Sequence, residues 1–231
     1  MMRATAIVTG GTGGLGAGVV GRLLDDGWRV VVPWIVEREL EHVQRRAGLE
    51  LVEADLFSAD AVHGIVELAT GVADAPLQGV VNLVGGFAAG GRVHETPVDE
   101  FERQFALNLR PTYLVVQAAV PHLIAAGGGS IVCVGTRAAL QPFRGAAGYI
   151  SSKAAVIAFA QAVAVEYRED RIRCNAILPS VIDTPANRAS MPKADHDRWV
   201  KPAEIAGVIA HLLSADSTPT SGAAIPVYGR A

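Results

Sequence analysis

Two features of this 231-residue chain combine residue types and spacing that could do chemistry. Tyr149 and Lys153 stand four apart in an alanine-rich stretch that reads as helix, so both side chains project from one face. A phenol titrates at about 10 in water, too high for easy proton exchange at neutral pH. A nearby ammonium favours the phenolate and lowers that value, which suits the pair to general acid–base work. The second feature is Thr9-Gly10-Gly11-Thr12-Gly13-Gly14-Leu15-Gly16, where a short apolar run passes directly into a helical pattern. Glycines at such a turn let the backbone bend tightly and approach a pyrophosphate, and the following helix offers free N–H groups and partial positive charge. Each feature also has an ordinary explanation. A Tyr and a Lys can sit exposed on any surface helix, and a tight turn without a ligand accounts for one or two glycines, though here there are five between positions 10 and 16.

The elements that must position these groups alternate along the whole chain. Val/Ile-rich runs predict strands near 3–9, 29–34, 49–53, 78–84, 129–135, 171–178 and 223–228. Helical patterns fall near 14–26, 36–47, 58–70, 97–125, 147–169 and 202–214. Runs such as Val30-Val31-Val32 are apolar on both faces, as in a sheet covered on both sides. Strand, helix, strand, repeated, predicts parallel pairing through right-handed crossovers. No linker or repeat divides the chain. The expected fold class is therefore α/β, a single doubly wound Rossmann domain over 1–231, with a mostly parallel seven-stranded sheet flanked by helices on both faces.

Composition narrows the function. Hydrophobic residues are 50% and charged residues 19%, which excludes intrinsic disorder. The net charge of −3 lacks the basic footprint of a nucleic-acid binder. Mean hydropathy is +0.30, but Gln117, His122 and Gln161 interrupt the longest apolar stretches, so no membrane partner is expected. The short apolar run after Met1-Met2-Arg3 meets Gly10 too soon for a secretory segment, and a cytoplasmic location is expected. Cys133 and Cys174 sit in strand-like runs as expected buried thiols, and without CxxC spacing no metal is expected.

The spacing Thr-Gly-x-x-x-Gly-x-Gly, met by Thr9, Gly10, Gly14 and Gly16, resembles the cofactor loop of short-chain dehydrogenases/reductases. Further matches follow in order: Asp55-Leu56 after the third strand, Asn82-Leu83-Val84-Gly85-Gly86 after the fourth, Asn108 in a helix, Tyr149-x-x-x-Lys153, and Asn175–Pro179 opening a segment that ends at Thr184. The resemblance covers essentially the whole chain. It implies an NAD(P)-dependent oxidoreductase acting on a small-molecule carbonyl or secondary alcohol, with Tyr149, Lys153, Thr136 and Asn108 as catalytic residues. Thr136 stands thirteen residues before Tyr149, where the family has serine; it keeps the hydroxyl but adds a methyl and a stiffer torsion. Lys153 would also hold the ribose hydroxyls, and Asn108 would fix a water extending the proton path. The cofactor set implied is Gly10, Thr12, Gly14, Leu15, Gly16, Trp34, Asp55, Leu56, Asn82, Gly85, Tyr149, Lys153, Pro179, Ile182 and Thr184.

The chain departs from the family pattern in two places. The segment Asn82–Phe87 replaces the usual second Asn and Ala, putting two glycines and Phe87 beside the expected nicotinamide position. The end of the second strand, where an acid selects NAD and an arginine accommodates NADP, carries Trp34 and then Ile35. Glu37 and Arg38 lie slightly further on and argue in opposite directions. With no acid at the strand end, the expectation tilts slightly to NADP over NAD. The substrate loop, about 184–201, is short; Phe87, Phe143, Met191 and Trp199 are candidates for an apolar lining, and His94, Arg137 and Arg144 for polar contacts. The family forms homodimers or homotetramers through helices corresponding to 97–125 and 147–169. The alternative to an enzyme is an NAD(P)-binding regulator with little or no catalysis, though such a protein need not keep both Tyr149 and Lys153. A sugar-nucleotide isomerase or dehydratase would need a longer chain.

Overall fold

The protein is described by a computed structural model over residues 4–230; Arg3, the expected first residue of the first strand, lies outside the described residues. The apolar runs form seven strands: β1 (Thr5–Thr9), β2 (Arg29–Trp34), β3 (Leu49–Glu53), β4 (Leu77–Asn82), β5 (Gly129–Val134), β6 (Ile172–Pro179) and β7 (Ala224–Val227). Their order in the sheet is β3-β2-β1-β4-β5-β6-β7, and every pairing is parallel. Parallel neighbours cannot be joined by hairpins, so the chain crosses over through helices. These are α1 (Gly16–Asp25), α2 (Ala59–Thr70), α3 (Val98–Asn108), α4 (Arg110–Ala125), α5 (Ala147–Glu166), α6 (Pro185–Ser190) and α7 (Pro202–Leu213).

Alternation along each strand divides the core in two. Ala6 and Val8 of β1, with Val30 and Val32 of β2, pack under α1 and α7 through Val19, Leu23, Ile205 and Ile209. Ile7 and Val31 face the other side, where Ile65 of α2, Val116 of α4 and Val156 of α5 cover them. This two-sided burial accounts for the apolar composition. Helix α5 has the length and apolarity of a membrane span, but Val156, Ile157, Ala160 and Val163 are buried in the protein. Strand order reverses between β1 and β4, opening a crevice at their C-terminal ends, the usual ligand position in such sheets.

Two helices differ from the sequence expectation. The single helix near 97–125 is divided at Leu109. Pro111 lacks the N–H that would bond the Leu107 carbonyl, and its ring crowds that oxygen, so a new helix starts with Pro111 in its first turn. The helix near 36–47 is reduced to a 3-10 turn at Glu37–His42. Val36, Leu40 and Val43 have helical spacing, but Val43 is extended and buried in the core, while Glu39 and His42 bond the glycine loop. Tertiary contacts here override local propensity.

Candidate active site

The glycine loop joins β1 to α1 along the crevice. Gly10 has φ +67°, a left-handed conformation suited to glycine, and its carbonyl accepts the Gly13 N–H at 3.1 Å. A Cβ on Gly16 would overlap the Gly10 carbonyl oxygen, and one on Gly14 would lie 3.1 Å from the Thr184 methyl. Helix α1 begins after Leu15 with no side-chain cap and no acidic residue in its first turn. Its N–H groups and positive dipole end are therefore available to an anion. Side chains absent at the closest approaches, together with an uncapped helix start, fit a pyrophosphate.

The candidate catalytic residues converge beside this loop. Tyr149 and Lys153 lie on the first turns of α5, and Thr136 immediately follows β5. The Lys153 ammonium is buried and donates to the Val134 carbonyl at 3.0 Å. Burial lowers its pKa to about 8 from an ordinary 10.5, with the neighbouring Cys133 pulling the other way. Burial pushes the Tyr149 phenol up, and a hydrogen bond with Thr136 pulls it back. The Thr136 hydroxyl also accepts the Ala138 N–H at 3.2 Å, fixing its orientation.

Asn108 ends α3 at the helix break and is 1% exposed. Its Oδ1 accepts the Gly86 N–H at 2.9 Å and its Nδ2 donates to Ser152 Oγ at 3.0 Å. Ser152 in turn donates to the Tyr149 carbonyl at 2.8 Å. A Cβ on Gly85 would stand 2.6 Å from Asn108 Oδ1 and 2.8 Å from Lys153 Nζ, so only glycine fits where the loop after β4 crosses the two side chains.

The other expected cofactor residues line the same edge with different degrees of access. Asp55 is exposed after β3, and its Oδ1 accepts the Phe57 N–H at 2.9 Å, while Leu56 beside it is buried. Asn82, the last residue of β4, is 2% exposed; its Nδ2 reaches Cys133 Sγ at 3.9 Å, and its Oδ1 has no partner among the described residues. Trp34 ends β2, half-buried. Pro179 ends β6, and Ile182 forms an isolated bridge with Val200. Thr184 caps α6 by accepting the Asn187 N–H at 3.2 Å, bringing the start of the substrate loop against Gly14. The loop is therefore partly helical, and Arg188 pins it by donating to Asp183 at 2.9 Å.

Around Tyr149 the surface is aromatic. Phe87 meets the Tyr149 ring edge-on at 5.0 Å and lies 6.3 Å from Phe143. Trp199 is buried, whereas Phe87, Phe143, Leu140 and Met191 are exposed. Arg137 stacks over the Tyr228 ring at 5.5 Å. Arg144 and His94 are exposed. A wide cavity of about 1160 Å³ opens elsewhere, at the N-terminal ends of β5 and β6, lined in part by Gly128, Arg171 and Arg173. Arg173 there is committed to the Ser214 and Thr220 carbonyls, so this cavity lacks the convergence of proton-handling groups found around Tyr149.

Sequence reasoning missed four participants. Ser152, the Val134 carbonyl, Glu39 and His42 all bond candidate site residues. Ser152 lies three residues after Tyr149, and that spacing was its only signal. The other three depend on how distant segments meet.

A family model described as short chain dehydrogenase matches residues 4–195. The chain is 32% identical to 2-(R)-hydroxypropyl-CoM dehydrogenase of Xanthobacter autotrophicus, across 99% of this chain and 98% of that protein. It is 30% identical to (3R)-3-hydroxyacyl-CoA dehydrogenase of Mus musculus, across 98% and 95% respectively. A short-chain type dehydrogenase/reductase from Mycobacterium ulcerans superposes with a TM-score of 0.90 at 26% identity, covering 100% of this chain and 90% of that one. With this fold and these matches, the chain belongs to the short-chain dehydrogenase/reductase family.

Proposed function

We propose that the protein is an NAD(P)-dependent oxidoreductase that interconverts a small-molecule carbonyl and its secondary alcohol, with Tyr149 as general acid/base. The observation that carries this reading is the meeting of Tyr149, Lys153 and Thr136 beside a glycine loop fitted to a pyrophosphate. The bound dinucleotide would supply or accept the hydride. Gly10, Thr12, Gly14, Leu15 and Gly16 would hold its phosphates, with Asp55, Leu56, Asn82 and Gly85 along the adenine and nicotinamide path and Pro179, Ile182 and Thr184 closing over it.

In reduction, Thr136 holds the substrate oxygen by a hydrogen bond and Tyr149 delivers a proton to it. In oxidation, Tyr149 takes that proton away. The Lys153 ammonium would lower the energy of the phenolate left after proton delivery and would hold the ribose hydroxyls of a bound dinucleotide. Asn108 accepts from Gly86 and donates to Ser152, and so fixes the loop after β4 and, through Ser152, the first turn of α5. Its amide keeps a second N–H and a second oxygen lone pair, and Asn108 would also fix a water that extends the proton path.

The exposed Phe87, edge-on to Tyr149, and Phe143 next to it favour a substrate with an apolar or flat portion beside the reacting oxygen. The relatives named for hydroxypropyl and hydroxyacyl compounds support the secondary-alcohol class. Incubation with NADH and NADPH against a panel of ketones, aldehydes and quinones tests the reading. Cofactor-dependent turnover of at least one class is expected; tight cofactor binding without any turnover would contradict it.

A further inference from the structure

The segment after β2 does something its sequence did not announce. Instead of continuing as helix, it closes in a 3-10 turn that brings Glu39 and His42 onto the glycine loop. The Thr12 hydroxyl donates to Glu39 Oε2 at 2.9 Å. His42 Nδ1 lies 3.0 Å from the Thr12 carbonyl oxygen, which requires the proton on Nδ1 for that bond to form. Val43, the next residue, is 7% exposed and packs in the core beneath β2, anchoring the turn. Glu39 is therefore held by its own bond, by its neighbour's bond and by the buried residue that follows.

This places a carboxylate on the crest of the glycine loop, beside the C-terminal end of β2. In dinucleotide-binding sheets that corner receives the adenosine ribose, and an acid about 20 residues beyond the loop accepts its 2′-hydroxyl. Trp34, at the strand end, cannot do this. Glu39 lies 23 residues after Gly16 and has a second carboxylate oxygen for which no hydrogen bond is formed among the described residues. No Lys, Arg or His cation lies within 4.0 Å of it among the described residues, so its charge is not neutralised by a side-chain partner. A 2′-phosphate brought to this corner would meet a like charge.

We infer that Glu39, presented by the 3-10 turn and braced by Thr12, makes this protein prefer NAD over NADP. The inference rests on the dinucleotide reading above and reverses the slight tilt to NADP drawn from the strand end alone. The acid missing at position 34 is replaced by one five residues further along.

Titration of the whole protein with NADH and with NADPH, followed by calorimetry, tests this without turnover. The wild type is expected to bind NADH at least tenfold more tightly than NADPH. Glu39→Gln keeps an acceptor for Thr12 but removes the charge, and should narrow that ratio at least fivefold. Raising the salt concentration should narrow the wild-type ratio too, because screening weakens like-charge repulsion; this second measurement needs no variant. Equal affinities in the wild type, tighter NADPH binding, or a ratio unchanged in Glu39→Gln would overturn the inference while leaving the dinucleotide reading intact. Failure of the wild type to bind either dinucleotide would overturn both.

Discussion

Lys153 is tied to the Val134 carbonyl of β5, an ammonium buried on the sheet's edge and held by a neutral oxygen at 3.0 Å rather than by an acid. Its pKa of about 8, against an ordinary 10.5, has two consequences of defined sign. The unfolded chain binds more protons at this residue between about pH 8 and about pH 10.5, so this group's contribution to stability rises with pH across that window. Below about 8 both states are charged and the burial penalty, about 3 kcal/mol, is fully present. Lys153→Met at neutral pH should therefore lower turnover at least a hundredfold while leaving the melting temperature unchanged or higher; the lost donor to Val134 offsets part of the gain. A clear drop in melting temperature would show that the ammonium stabilises the fold.

The same pKa predicts the pH profile. The proposed mechanism requires a protonated Tyr149 and a charged Lys153 for carbonyl reduction, so kcat/KM for reduction should fall as pH rises through about 8. Burial holds the phenol above its ordinary value, which keeps it protonated over that range. A profile that stays flat to about pH 10 would separate Lys153 from the chemistry.

In the proposed mechanism the substrate-oxygen role falls to Thr136, a threonine rather than a serine. Thr136→Ala should cut turnover at least tenfold with little change in cofactor affinity. Thr136→Ser should restore most of it, since the hydroxyl that caps Ala138 returns. Unchanged turnover in the alanine variant would remove Thr136 from the mechanism.

Gly85 is predicted to be intolerant of any side chain. Its Cβ would come within 2.6 Å of Asn108 and 2.8 Å of Lys153. Gly85→Ala should displace both, lowering kcat and weakening cofactor binding together. Wild-type kinetics in that variant would show that the loop can shift without cost to the site.

The sheet was legible because parallel strands buried on both faces must be continuously apolar, and Val30–Val32 or Ile131–Val134 fit no other element as well. The positions of the glycine loop and of the Tyr149/Lys153 pair were legible because a tight strand-to-helix turn and a single helix face each impose a fixed spacing. The turn at Glu37–His42 was hidden because its apolar spacing imitates a helix, and the contacts that override it come from Thr12, more than twenty residues earlier. The Ser152 bond to Asn108 spans 44 residues and follows from how α3 packs on α5, which local pattern does not encode. The break at Leu109 could have been read from Pro111 alone.

We propose that the protein self-associates through an exposed face of α5. Ala154, Ala158 and Ala162 repeat every four residues along α5 and are exposed, with Val165 continuing the apolar surface. Small side chains at this spacing allow close helix packing, and a homodimer or homotetramer through the α3–α4 segment and α5 is expected. Sedimentation at micromolar concentration checks it, and a monomer there would contradict it.

In the proposed mechanism Tyr149 exchanges the proton in a nicotinamide-dependent reaction. Steady-state reduction of the carbonyl panel by NADH and NADPH, measured for wild type and Tyr149→Phe with cofactor affinity determined in parallel, tests it most directly. Turnover is expected in the wild type, with a loss of at least a hundredfold in the phenylalanine variant and dinucleotide binding within threefold of wild type. Full activity in Tyr149→Phe would contradict it.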